Sequence, residues 1–123
     1  MDRKSTMLVV DDEMEILKVL REVFELRGWN VISTPTGTSV LSIIEKERVD
    51  IILLDIRLPD GSGLSVLKEI RKNDSSIPVI IYTAYGYEDE LVNETIRLGA
   101  SGYVSKNVPI KELIEVINNI LVK

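Results

Sequence analysis

The sequence predicts an α/β fold: a doubly wound, five-stranded parallel sheet in the order 2-1-3-4-5, with five helices packed on its two faces. Three observations predict it. Short, β-branched apolar runs alternate with amphipathic helical patterns five times along the 123 residues. The runs are continuously apolar rather than alternating, so both faces of each strand are covered. Each connection is long enough for a helix, and right-handed crossovers then place helices on both sides of the sheet.

The first strand is "MLVVD" (7–11). The first helix spans Glu13 to Arg27, with Ile16, Val19, Leu20, Val23 and Phe24 on one face and Gly28 as its stop. The second strand is "NVIS" (30–33), and the second helix runs from Thr38 to Glu47 with Val40, Leu41, Ile43 and Ile44 inward. The third strand is "IILLD" (51–55). A turn, Pro59 to Gly63, follows it, and Gly61 and Gly63 read as turn glycines. The third helix spans Leu64 to Lys72, with Val66, Leu67 and Ile70 on its core face. The fourth strand is "PVIIYT" (78–83), and its helix opens on "YEDE", where acids suit the helix dipole, and ends at Gly99. The fifth strand is "GYVS" (102–105). The fifth helix follows Pro109 and carries Leu113, Ile114, Val116, Ile117 and Ile120. Five such units in one chain of this length fit the flavodoxin-like three-layer order.

Residues 1–123 are expected to form one domain, and 45% hydrophobic residues suffice for a core. No apolar run approaches the roughly 18 residues of a membrane span. The polar "MDRKST" and the short "MLVV" do not make a signal peptide, so a cytoplasmic location is expected. The absence of cysteine excludes disulfides and thiolate metal sites, and the absence of histidine removes the commonest general base. Chemistry must come from carboxylates, lysine, hydroxyls or backbone. A net charge of −5 argues against direct nucleic-acid binding and suits a protein partner or a cation.

In open α/β sheets ligands bind beyond the carboxyl ends of the strands. Strand 1 ends in Asp11-Asp12-Glu13, strand 3 in Asp55, strand 4 in Thr83-Ala84 and strand 5 in Ser105-Lys106. In the order 2-1-3-4-5 these ends converge on one edge. Taken singly, each has a plain structural reading: a helix cap with acids in its first turn, a turn aspartate, a strand threonine, a surface lysine. Taken together, clustered carboxylates need a cation. With only oxygen ligands on offer, Mg2+ suits them. A carboxylate beside Mg2+, a lysine and a hydroxyl is a good phosphoryl acceptor, which makes Asp55 a candidate nucleophile.

The motifs "VVDDE", "IILLDIRLPDGSGL", "VIIYTAY" and "GASGYVSK", in this order and spacing, resemble the receiver domains of two-component response regulators, the CheY-like family. The likeness covers essentially the whole chain. It implies that Asp55 accepts a phosphoryl group from the phosphohistidine of a sensor histidine kinase or histidine phosphotransferase. It implies that Asp12 and Asp55, with the backbone carbonyl of Arg57, hold Mg2+, and that Asp11 assists largely through water. Thr83 and Lys106 would bind the phosphoryl oxygens. Tyr103 would swing inward as Thr83 is pulled toward the phosphate, and the face built from the fourth helix, fifth strand and fifth helix would change its preference for a downstream protein partner. A monomer that assists its own phosphorylation and dephosphorylation, rather than an enzyme acting on others, is implied. Arg57 and Tyr85 would screen the acyl phosphate from water. Tyr82, Tyr85 and Tyr87 otherwise read as packing or surface residues. One departure stands out: the family usually follows the lysine with a cis proline, and here Asn107 follows Lys106.

On the first helix, Met14 and Leu17 fall at or past the edge of the core arc, on the side of Arg21, and would suit docking of a helical phosphodonor. Other functions compete. An aspartyl-phosphate phosphatase of the haloacid dehalogenase type would need D-x-D after the first strand, where this chain has D-D-E. A flavin or nucleotide binder would need a phosphate loop of glycines or hydroxyls where "DDEME" stands. A receiver fragment of a longer regulator, fused to an effector domain, is the remaining alternative to a single-domain regulator or phosphorelay intermediate.

Overall fold

The computed structural model describes residues 4–73 and 76–121. Five strands make one parallel sheet: β1 Thr6–Val10, β2 Asn30–Thr34, β3 Ile51–Leu54, β6 Val79–Thr83 and β7 Gly102–Ser105. Their order is β2-β1-β3-β6-β7, the doubly wound order expected. Two short strands that the sequence reading missed, β4 Arg57–Leu58 and β5 Gly61–Ser62, form a small antiparallel hairpin just after β3. Gly61 turns it at φ +146°, a conformation that side chains disfavour.

The helices are α1 Met14–Leu26, α2 Val40–Lys46, α3 Gly63–Asn73, α4 Asp89–Arg97 and α5 Ile110–Leu121, with a 3-10 turn at Gly37–Ser39 leading into α2. Side chains along each central strand alternate between two cores. Met7 and Val9 of β1 face Leu20, Phe24, Leu113 and Ile117 of α1 and α5. Leu8 and Val10 face Val40, Leu67 and Ile70 of α2 and α3. This is why β1, β3 and β6 read as unbroken apolar runs: every position in them is buried on one side or the other.

Two sequence expectations need correction. Val19 is not on the core face of α1; it is 52% exposed, because Leu20 and Phe24 already fill the strip against the sheet. Gly63 is not a turn glycine. It is buried as the first residue of α3, its N–H donates to Ile56 O at 2.6 Å, and a Cβ there would overlap the carbonyl oxygen of Asp55.

The helix α4 is lightly embedded. Its single fully buried residue is Thr95, and Leu91 packs only partly against the core. The segment before it, residues 84–88, is exposed throughout.

Candidate functional site

The backbone ladder runs past the ends of the strands and fixes the residues that follow them. Asp11 N–H donates to Thr34 O at 3.1 Å, Asp55 N–H to Val10 O at 3.0 Å, and Lys106 N–H to Thr83 O at 2.7 Å. Three chemistry-bearing side chains thus leave one sheet edge from anchored backbone, and Thr83, itself buried, ends β6 between them.

Lys106 is the hub. Its Nζ lies 2.7 Å from Asp11 Oδ2, 2.5 Å from Glu13 Oε1 and 2.9 Å from Asp55 Oδ2. The Lys106, Asp11 and Asp55 side chains are almost wholly shielded from solvent, whereas that of Glu13 is 55% exposed. Burial alone would pull the Lys106 ammonium down; the bonds from Asp11, Glu13 and Asp55 outweigh it and hold the pKa above the ordinary lysine value. Burial raises the Asp11 carboxyl, against the opposing pull of Lys106 and of the Glu13 N–H, which donates to Asp11 Oδ1 at 2.9 Å. That last bond is an Asx turn leading into α1, whose N-cap residue Glu13 makes no side-chain cap bond of its own.

The carboxylates outnumber the ammonium: Asp11, Glu13 and Asp55 contact one lysine, and Asp12 lies beside Asp11 and Asp55. One oxygen each from Asp11, Asp12 and Asp55 lies within 4.8 Å of the others. Such a set of hard oxygens, with excess negative charge and Asp12 exposed to water, fits Mg2+, which keeps several waters and takes few carboxylates. Arg57 N–H approaches Asp55 Oδ1 at 3.5 Å, so the hairpin's first residue borders the same place. Asp12, Glu13, Asp55, Arg57, Leu58, Pro59, Thr83, Ala84 and Tyr85 line one open cleft over Asp55. The expected set Asp11, Asp12, Asp55, Arg57, Thr83 and Lys106 is therefore brought together.

The Lys106–Asn107 peptide bond is trans. Asn107 anchors its loop by other means: its N–H donates to Ser105 Oγ at 3.1 Å and its side-chain amide reaches Ala84 O at 3.4 Å. The tyrosines are more specific than expected. Arg57 Nη2 donates to the Tyr85 hydroxyl at 2.8 Å, and the guanidinium sits 5.5 Å from the ring centre. Tyr103, half-buried, donates its hydroxyl to Gly86 O at 2.9 Å. Burial first, then the nearby Glu88, Tyr87 and Tyr85, raises the Tyr103 phenol, so it stays a proton donor. Tyr87 packs beside Tyr103, ring centres 5.7 Å apart, and accepts the Ser105 N–H at 3.1 Å.

Sequence reasoning missed the Glu13 contact with Lys106, the Tyr87 and Asn107 bonds, and Asp60. The Asp60 carboxylate accepts the N–H groups of Gly37 and Thr38, both at 3.0 Å, tying the hairpin to the start of the 3-10 turn. Only Glu13 carried a signal, its place beside the acid pair. On α1, Met14 is 75% exposed as expected, but Leu17 is half-buried against the core. Both line a shallow groove with Lys18, Arg21 and Ser33.

Comparisons with known proteins identify the family. The family described as response regulator receiver domain matches residues 7–118. The sporulation initiation phosphotransferase F of Bacillus subtilis is 37% identical over 114 residues, 93% of this chain and 91% of that protein. The response regulator SaeR of Staphylococcus aureus is 34% identical over 95% of this chain but only 50% of its own length. The solved structure of the response regulator TrrA of Thermotoga maritima, in complex with Mg(2+)-BeF, superposes with a TM-score of 0.84 at 32% identity, covering 95% of this chain and 99% of that one. With its doubly wound sheet and its acidic edge, this chain belongs to the response regulator receiver domains of two-component signalling.

Proposed function

We propose that Asp55 is the phosphoacceptor of this receiver and that residues 1–123 act as one receiver domain. Members of the family are signalling switches that interact with sensor histidine kinases and downstream partners, and they bind Mg2+ at an acidic pocket. The observation that carries the assignment is the Asp55 carboxylate itself. It stands at a strand end in an open cleft, bonded to a buried lysine and flanked by two further aspartates.

In the reaction an Asp55 oxygen attacks the phosphorus of a donor phosphohistidine. The phosphorus–nitrogen bond breaks, and the donor imidazole keeps the electron pair. Lys106 holds Asp55 in place before transfer and faces the incoming phosphoryl oxygens after it. The Thr83 hydroxyl, in the same cleft, donates to another of those oxygens. Asp11, Asp12 and Asp55, with the Arg57 carbonyl, are the residues that would hold Mg2+; when bound it offsets charge on the transferring oxygens. Arg57 and Tyr85, bonded to each other beside the cleft, are placed to slow attack by water on the acyl phosphate. Movement of Thr83 would bias Tyr103 and so the face formed by α4, β7 and α5. Met14 and Leu17, in their groove on α1, would meet the phosphodonor.

Likeness to a phosphotransferase matched over nearly its whole length favours a phosphorelay intermediate, whereas likeness to half of SaeR fits a receiver joined to an effector. Intact mass after incubation with a small phosphodonor tests the central step. One added phosphoryl group is expected, requiring both Mg2+ and Asp55. An adduct that persists in Asp55→Asn, or none in the wild type, would overturn the assignment. Turnover of an added phosphomonoester would favour the phosphatase alternative instead.

A further inference from the structure

Residues 84–88 connect Thr83 to α4 and are exposed along their length. They reach the rest of the molecule through side chains. Asn107 meets Ala84 O and Arg57 meets the Tyr85 hydroxyl. Tyr103 donates to Gly86 O, and the Tyr87 phenol accepts the Ser105 N–H. The last two bonds cross between the same two segments, 86–87 and 103–105, with the two rings packed between them. Tyr87 is 54% exposed, yet its hydroxyl turns back onto the backbone of the strand that presents Lys106.

We propose that Tyr87 is a latch residue: its phenol oxygen holds the Ser105 N–H in the resting protein and lets go when Thr83 is drawn to a phosphoryl group on Asp55. This rests on the phosphoacceptor reading of Asp55 and adds a residue to it. The physical reason is reach. The Tyr87–Ser105 bond, at 3.1 Å, is near the long end of the normal range, so a loop displacement of about 1 Å breaks it. Tyr87 lies in the exposed segment that leaves the sheet after Thr83, whereas Ser105 is held in the sheet as the paired neighbour of Thr83. When the loop follows Thr83, the two ends of the bond part. A contact made only in the resting state opposes switching, and its removal favours the switched state.

The test uses the full chain with Mg2+ and beryllofluoride as the phosphoryl stand-in, followed through backbone amide resonances in wild type and Tyr87→Phe. The phenylalanine keeps the ring and removes only the hydroxyl. Tyr87→Phe is expected to lower the half-saturating beryllofluoride about two- to tenfold, the worth of one net hydrogen bond. The wild-type Ser105 amide should move on saturation toward the position it already holds in unliganded Tyr87→Phe. A purely structural role for the hydroxyl would leave half-saturation unchanged or raise it, and either result overturns the latch alone. A wild type that ignores beryllofluoride would overturn the phosphoacceptor reading and the latch with it.

Discussion

Two regions at the same edge of the sheet are held in opposite ways. The acid cluster is buried and charged: Lys106 clasps Asp11 and Asp55, both rooted in backbone that the sheet ladder fixes. The loop of residues 84–88 is exposed and held mainly by neutral hydroxyl and amide contacts, and it leads into α4, where Thr95 alone is fully buried. Charge-assisted bonds between shielded groups are about twice as strong as neutral ones, and breaking them strands a charge. Neutral bonds to solvent-facing groups are replaced by water at little cost. On the proposed function the difference would separate tasks: Asp55 and Lys106 would do the chemistry from anchored backbone, and the response would pass through a loop held by a few neutral contacts.

The largest expected effect breaks the rigid side. Lys106→Ala leaves Asp11 and Asp55 buried without their cation and should destabilise the fold by about 3–5 kcal/mol in the absence of metal. Added Mg2+ should recover a good part of that loss by binding the acids. Thermal melts with and without Mg2+ check both; a loss that Mg2+ leaves untouched would mean that the cluster does not hold the ion.

Next comes Gly63→Ala. The added methyl meets the Asp55 carbonyl, a backbone atom with nowhere to go, so a loss of about 2–3 kcal/mol is expected together with slower phosphorylation. Chemical denaturation reads the first and the mass assay the second.

The smallest effect concerns the hairpin tip. The N–H groups of Gly37 and Thr38 hold the Asp60 carboxyl below its ordinary value of 3.8. A lowered folded-state pKa means that its stabilisation is full above the unfolded value and is lost as pH falls through the folded one. The melting-temperature difference between wild type and Asp60→Asn should therefore be full near neutral pH and shrink in acid. A difference that grows in acid would contradict the tie.

Much of this contrast was legible in the sequence, and the division is physical. Asp11, Asp55, Thr83 and Lys106 could be placed because apolar strand runs end where their ladders end, and parallel topology does the rest. Asp12 followed from the acid pair. Tyr87, Asn107 and Asp60 could not be placed, because a hydroxyl, amide or carboxylate in a loop points wherever tertiary structure offers a partner, with no periodicity to announce it. Val19 was misjudged for a related reason. A helix wheel gives the apolar arc, but Leu20 and Phe24 left Val19 no room on it. Gly63 was misjudged because its need for glycine lies in a neighbour's backbone, not in its own dihedral angles.

The most direct test of the division between a fixed site and a yielding loop is amide hydrogen exchange, residue by residue, with Mg2+ alone and with Mg2+ and beryllofluoride. Exchange in β1 and β3 should stay unchanged, while rates at residues 84–88, at the start of α4 and at Ser105 change severalfold. Changes confined to the residues around Asp55, with 84–88 and Ser105 silent, would contradict it.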